Sequence, residues 1–154
     1  MKRLMALILA AACLALTACG GSDSGKQPEA KAVVEAVAAQ VAFVDIMTDV
    51  TGDILFDFYD LDADKVADAH MYTSGSRATA EEITVIRMKD AKDVGLAEAA
   101  MKQRVEDQKR SYQDYIPEEL PKLEGAVVLT HGSYALLAVA DDPSKVEETF
   151  KAQF

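Results

Sequence analysis

Residues 82–140 change hydrophobic period repeatedly, and few folds accommodate such a chain. Residues 82–89 (EITVIRMK) alternate with period two, placing Ile83, Val85 and Arg87 on one face and Thr84, Ile86 and Met88 on the other. Residues 91–115 then follow a helical period. Val94, Ala97, Met101, Val105, Gln108, Tyr112 and Tyr115 recur at steps of three and four, between a capping residue at Asp90 and a stop at Pro117. Two β-rich runs follow, 126–130 and 134–140, separated by His131-Gly132-Ser133, a tight hairpin loop. A helix joining strand pairs in this way calls for an α+β layer arrangement and not for a bundle or a barrel.

The flanks extend that reading. Residues 66–73 alternate weakly before the turn cluster Ser74-Gly75-Ser76, so 66–73 and 82–89 form a first hairpin. Val33, Val34, Val37, Val41 and Val44 mark a helix from residue 29 to about 44, with Pro28 suited to its first turn. Residues 45–61 fit a short helix after the Thr51-Gly52 break or, through Ile54, Phe56 and Phe58, a strand; the helix is favoured. Residues 117–124 (PEELPKLE) read as a proline-bracketed connector, and Asp141-Asp142-Pro143-Ser144 opens a last helix carrying Val146, Phe150 and Phe154. The expected fold is a two-layer α+β sandwich. Its antiparallel four-stranded sheet comes from two hairpins, with a long helix between them, N- and C-terminal helices at the flanks, and the helices mainly on one face.

The N-terminus follows a different logic. Lys2 and Arg3 precede an apolar run, and fifteen of residues 1–18 are apolar. A run of about a dozen is short for a permanent span of a ~30 Å hydrocarbon core but suits a signal peptide. It ends in Leu16-Thr17-Ala18-Cys19, followed by Gly20-Gly21-Ser22. This tetrapeptide resembles the bacterial lipobox. The resemblance implies cleavage between Ala18 and Cys19 and a diacylglyceryl thioether, with further acyl chains, on Cys19. Residues 19–28 would be a lipidated flexible tether and residues 29–154 a single domain. That domain contains no cysteine, so no disulfide supports it.

The chain has 26 acidic and 16 basic side chains, a formal charge of -10. Losing Lys2 and Arg3 with the signal would take the side-chain charge to -12. Such a charge disfavours nucleic acid, whose affinity rests on Lys and Arg at phosphates, and repels anionic headgroups, leaving the lipid as the membrane attachment.

Several stretches carry a second resemblance. Residues 73–76 (TSGS), 80–90 (AEEITVIRMKD), Arg104, Gln108 and 112–123 (YQDYIPEELPKL), with Gly132-Ser133-Tyr134 and Asp141-Asp142, resemble the small bacterial lipoproteins of the domain of unknown function 4358 family. The similarity runs from about Ala32 to the C-terminus and departs at Gly125 and Ser133, near turns, where Asn is expected. The family implies a lipoprotein of the cell envelope and brings no reaction with it.

No catalytic signature appears. Eight aspartates fall between Asp45 and Asp68, and Asp60, Asp62 and Asp64 have the spacing that opens an EF-hand loop. Lys65 stands where that loop needs Gly and Met71 where it needs Glu, so a solvated acidic face with Asp62 capping a turn is the reading adopted. His70 and His131 have no partner at metal-ligand spacing, and no cofactor is expected beyond the Cys19 lipid. Gln108 interrupts an apolar stripe one turn from Arg104, and Glu82 opens an apolar strand. Together with Tyr134 these are the candidate ligand-binding residues, although structural hydrogen bonding is the favoured explanation of the polar ones. Tyr112, Tyr115 and Tyr134 offer an aromatic wall, but aromatics at helical spacing are more often core, and core is the reading adopted. The reading that follows is a lipid-anchored extracytoplasmic binding or interaction module at the cell membrane, its partner an envelope protein or small ligand. A small envelope enzyme using carboxylate chemistry is the alternative.

Overall fold

The computed structural model describes residues 26–154. The signal segment 1–18, the Ala18–Cys19 junction and the tether as far as residue 25 lie outside the described residues.

The sheet has five strands, one more than expected. β1 (Met47–Val50), β2 (Val66–Ser74), β3 (Glu82–Met88), β4 (Val127–His131) and β5 (Tyr134–Val139) lie in the order β1-β2-β3-β5-β4, all neighbours antiparallel. Both expected hairpins are present, β2–β3 and β4–β5. The second turns through Gly132 (φ 53°), the only left-handed position of its two-residue loop, as in a type II′ turn. β1 is the addition, and it forms because α1 (Ala30–Ala38) is shorter than its valine spacing suggests. The chain leaves the helix so that the amides of Val44 and Asp45 can donate to the buried Glu81 carboxylate, at 2.8 and 3.0 Å. Val44 is consequently 73% exposed, and Met47 is delivered opposite Ser74.

Helices cover both faces of the sheet, which corrects the two-layer expectation. On one face α2 (Asp53–Tyr59), α3 (Val94–Gln113) and α4 (Leu120–Glu124) bury Leu55, Met101, Val105 and Leu123 against Ile86, Met88, Ala135 and Leu137. On the other, α1 and α5 (Val146–Lys151) bury Val33, Val34, Val37, Val146 and Phe150 against Ile83, Val85, Leu136 and Ala138. The cause lies in the central strands. β5 is buried at all six positions, and β3 is buried at every position except Arg87. A strand apolar on both parities needs cover on both sides.

The connectors are more ordered than their sequence suggests. Residues 117–124 form a turn of 3-10 helix (Pro117–Glu119) and then α4, with a proline in the first turn of each, where a missing N–H costs nothing. Asp90 accepts from the Lys92 amide at 3.0 Å and caps a 3-10 turn that leads into α3. α3 ends at Gln113, so Tyr115 falls beyond it and is 74% exposed. Among the described residues no helix is long and apolar enough to cross a membrane.

β1 attaches through a close approach at Gly75, whose amide donates to the Ile46 carbonyl at 3.0 Å. A Cβ there would lie 3.0 Å from that carbonyl oxygen and 2.6 Å from Thr48 Oγ1. Gly75→Ala should therefore destabilise the protein by about 1–3 kcal/mol in urea titration, with amide exchange accelerating first in β1.

Candidate functional site

The site is built on two consecutive carboxylates at the start of β3, Glu81 and Glu82, both fully buried. A buried carboxylate is tolerated only when donors surround it. Glu82 points to the α3 face, where its Oε2 accepts from Arg104 Nη2 and Nε, at 2.9 and 3.2 Å, and from Gln108 Nε2 at 2.9 Å. Its Oε1 accepts from the Tyr59 hydroxyl and from Thr84 Oγ1 at 3.2 Å. Arg104 and Gln108 reach it together because a four-residue step places both on one side of α3. Burial and the neighbouring Glu82 charge raise the Tyr59 hydroxyl well above its ordinary pKa, so it remains a donor. Burial opposes the Arg104 charge, but Glu82 more than offsets this and its pKa is raised.

Glu81 gathers in the segment before β1 and helix α4. Besides the Val44 and Asp45 amides, it accepts from Thr79 Oγ1 at 2.9 Å and from Lys122 Nζ at 3.4 Å. Lys122 is itself buried and also meets Glu119 at 3.0 Å and Asp141 at 3.5 Å. The β2–β3 loop is held from several directions. Asp45 accepts from the Ser74 and Ser76 hydroxyls and the Ser76 amide, Tyr112 donates to the Thr79 carbonyl at 2.6 Å, and Glu119 accepts from the Ala80 amide at 2.8 Å. Within the loop Arg77 is held left-handed (φ 61°), a conformation non-glycine residues adopt at some cost in energy.

Between this loop, α2 and α3 lies a cleft of about 330 Å³. Phe58, Arg77, Thr79, Arg104, Gln108, Ser111, Tyr112 and Tyr115 line it. Phe58 covers the Arg104 guanidinium, 4.6 Å from its ring centre. Gln108, 7% exposed, lies at the floor, and its Oε1 is buried without a hydrogen-bond partner. Turning the amide over would set its oxygen against the Glu82 carboxylate, so the donor–acceptor assignment is fixed.

The structure thus brings Glu82, Arg104 and Gln108 into one cluster. Tyr134 is not with them. It lies on the other face of the sheet, opposite Arg87, and its hydroxyl donates to the Pro28 carbonyl at 2.8 Å. Tyr112 and Tyr115 line the cleft without it. Tyr59, Glu81 and Lys122 were not singled out from the sequence. A Glu-Glu pair entering an apolar strand was the available signal for Glu81, whereas the tyrosine and lysine are distant partners with no local mark. Part of the acidic stretch is structural: Asp62 accepts from the Asp64 amide at 2.9 Å, Asp68 from the Ala30 amide at 2.6 Å, and Asp49 meets His70 at 2.7 Å.

The family model "Domain of unknown function (DUF4358)" matches residues 40–140, a span holding β1 to β5 and the whole cluster. The chain belongs to the DUF4358 family. No curated protein and no solved structure matches it significantly. Within this DUF4358 domain, the Glu82 cluster and its cleft are the most elaborate polar arrangement among the described residues.

Glu82→Gln should cost about 3–5 kcal/mol in urea titration, because a largely buried guanidinium loses its counter-charge, and a Glu82→Met/Arg104→Met pair should recover much of it. Asp45 and Glu81 respond to pH. Side-chain hydrogen bonds from Ser74 and Ser76 hold the Asp45 carboxyl well below its ordinary value. For Glu81, burial pushes upward, but the amides of Val44 and Asp45 prevail and its pKa is lowered. Both groups protonate more readily in the unfolded chain, so their stabilisation is present above about pH 4.5 and is lost as pH falls. Acid unfolding followed by circular dichroism should show this limb, and Asp45→Asn should flatten it.

Proposed function

We propose that this DUF4358 protein is a membrane-anchored extracytoplasmic lipoprotein, a non-catalytic binding module held at the cell envelope by a lipid on Cys19. The anchor reading rests on the Leu16-Thr17-Ala18-Cys19 sequence at the end of an apolar run, and on a -12 side-chain charge in the processed chain that gives the domain as a whole no affinity of its own for anionic lipid. Two or more acyl chains give stable attachment where one does not.

The binding reading is carried by one observation: the unpartnered Gln108 Oε1 at the floor of the Phe58–Tyr115 cleft. A buried carbonyl without a donor costs about 1–3 kcal/mol, and a ligand that brings an O–H or N–H there recovers it. The walls suit the same task. Tyr115 and Phe58 are exposed aromatic surfaces, and Arg77 and Arg104 supply further donors. Four partners already occupy the Glu82 oxygens, which leaves that carboxylate no free position from which to activate water, so the geometry favours binding over the carboxylate-enzyme alternative.

Cys19→Ala should move the protein from the membrane to the soluble fraction and abolish incorporation of a palmitate analogue; persistence in the membrane overturns the anchor. A photoreactive residue at position 115 should give an adduct of defined mass in intact cells. The adduct should disappear with Gln108→Leu and be absent from the same probe at position 148, on the far face. An adduct indifferent to Gln108→Leu overturns the cleft as the binding site.

A further inference from the structure

A second cleft, of about 480 Å³, opens at the other end of β3 beside the first described residues of the tether. We infer that it is a binding site for a phosphate group. Lys26, Arg87, Lys89 and His131 line it, an unusual gathering of basic groups on a chain with ten more acidic than basic side chains. The fold assembles them from separate segments. Arg87 ends β3 and Lys89 follows it. The Met88 amide donates to the Ser133 carbonyl at 2.9 Å, docking the β4–β5 turn and its His131 against them. Tyr134 fixes Pro28, so Lys26 leaves the domain at the rim.

Arg87 carries the argument. It is half-buried, its Nε is buried without an acceptor, and it takes part in none of the ion pairs among the described residues. Its guanidinium instead lies over the Tyr134 ring, 5.9 Å from the centre. Asp90 lines the same cleft and Asp68 stands across from Arg87, but neither forms an ion pair with it. Asp90 meets Lys92 at 2.7 Å, and Asp68, its cross-strand neighbour, accepts from the Ala30 amide. Lys89 Nζ donates to the Asp64 carbonyl at 2.8 Å and has further donors to give. An unpaired guanidinium with ammonium groups beside it, in a half-enclosed cleft whose one lining carboxylate side chain is Asp90, calls for a compact anion with several acceptor oxygens, which is what a phosphate group offers to guanidinium and ammonium donors.

The site does not depend on the anchor; only the source of the phosphate does. Lys26 is seven positions beyond Cys19, at most about 25 Å of extended chain, so on a lipid anchor the cleft would be within reach of phospholipid headgroups. A soluble or polymer-borne phosphate would engage the same donors.

The full chain in neutral detergent micelles serves for both sources. At pH 7, inorganic phosphate should raise the melting temperature by about 2–4 °C over chloride at equal ionic strength. The shift should vanish in Lys89→Gln, an exposed position that leaves the core intact, and in Arg87→Gln, while Lys151→Gln retains it. Micelles doped with phosphatidylglycerol should reproduce the shift if headgroups are a source, and phosphatidylglycerol acting where inorganic phosphate does not would assign the site to headgroups alone. No shift from either, or one unchanged in both Lys89→Gln and Arg87→Gln, overturns the proposal.

Discussion

Two consecutive buried carboxylates set the geometry of one end of this protein. Removing a charged group from water costs several kcal/mol even after relaxation, so Glu81 and Glu82 force the chain to bring donors to them. Glu82 draws α3 in through Arg104 and Gln108, and α2 through Tyr59. Glu81 draws the residues before β1 in through two backbone amides, and α4 through Lys122. The expected hydrophobic core would tolerate several placements of α2, α4 and β1. The carboxylates select one of them, and polar specification of this kind is costly when incomplete.

That dependence explains what could be read from the sequence and what could not. Both hairpins and α3 announce themselves by local period, since neighbouring residues decide a strand or a long amphipathic helix. Helices on both faces were also legible, in the unbroken apolar run of β5, although the expected fold placed them mainly on one face. β1 was not legible. Its four residues carry Thr48 and Asp49 exposed, and its place is set by Glu81, 37 residues from Val44 in the chain. The same holds within the site. Gln108 was recognisable because a polar residue interrupted an apolar stripe, whereas Tyr134 fits an aromatic wall by type and sits on the wrong side of the sheet. Residue type selects candidates; strand parity decides which of them meet.

The acidic excess takes on a different meaning once the contacts are known. Asp45, Asp62, Asp68 and Asp90 accept backbone amides, and Asp49 faces His70, so part of the negative charge is structural scaffolding. The two clefts, in contrast, are lined by arginines: Arg77 and Arg104 in one, Arg87 in the other. Outside the clefts Arg110 is paired with Asp107, so on the proposed reading an acidic exterior discourages indiscriminate anion binding while the cleft arginines remain for an acceptor-bearing group.

Those places lie at opposite ends of one strand. Glu82 and Arg87 are five residues apart on β3, roughly 17 Å along the sheet, and their opposite parity sends them to opposite faces. The cationic cleft adjoins Lys26 and the Pro28 carbonyl that Tyr134 holds, whereas the Gln108 cleft opens beyond the other end of the strand. On the proposed anchor, the first would sit at the membrane side and the second would be directed away from it. Phosphate contacts at the tether root would then restrict the domain's rotation about a flexible tether and lower the orientational entropy lost when a partner enters the distal cleft. On that proposal, a central strand buried on both faces is the element that would transmit occupancy at one end into a fixed direction at the other.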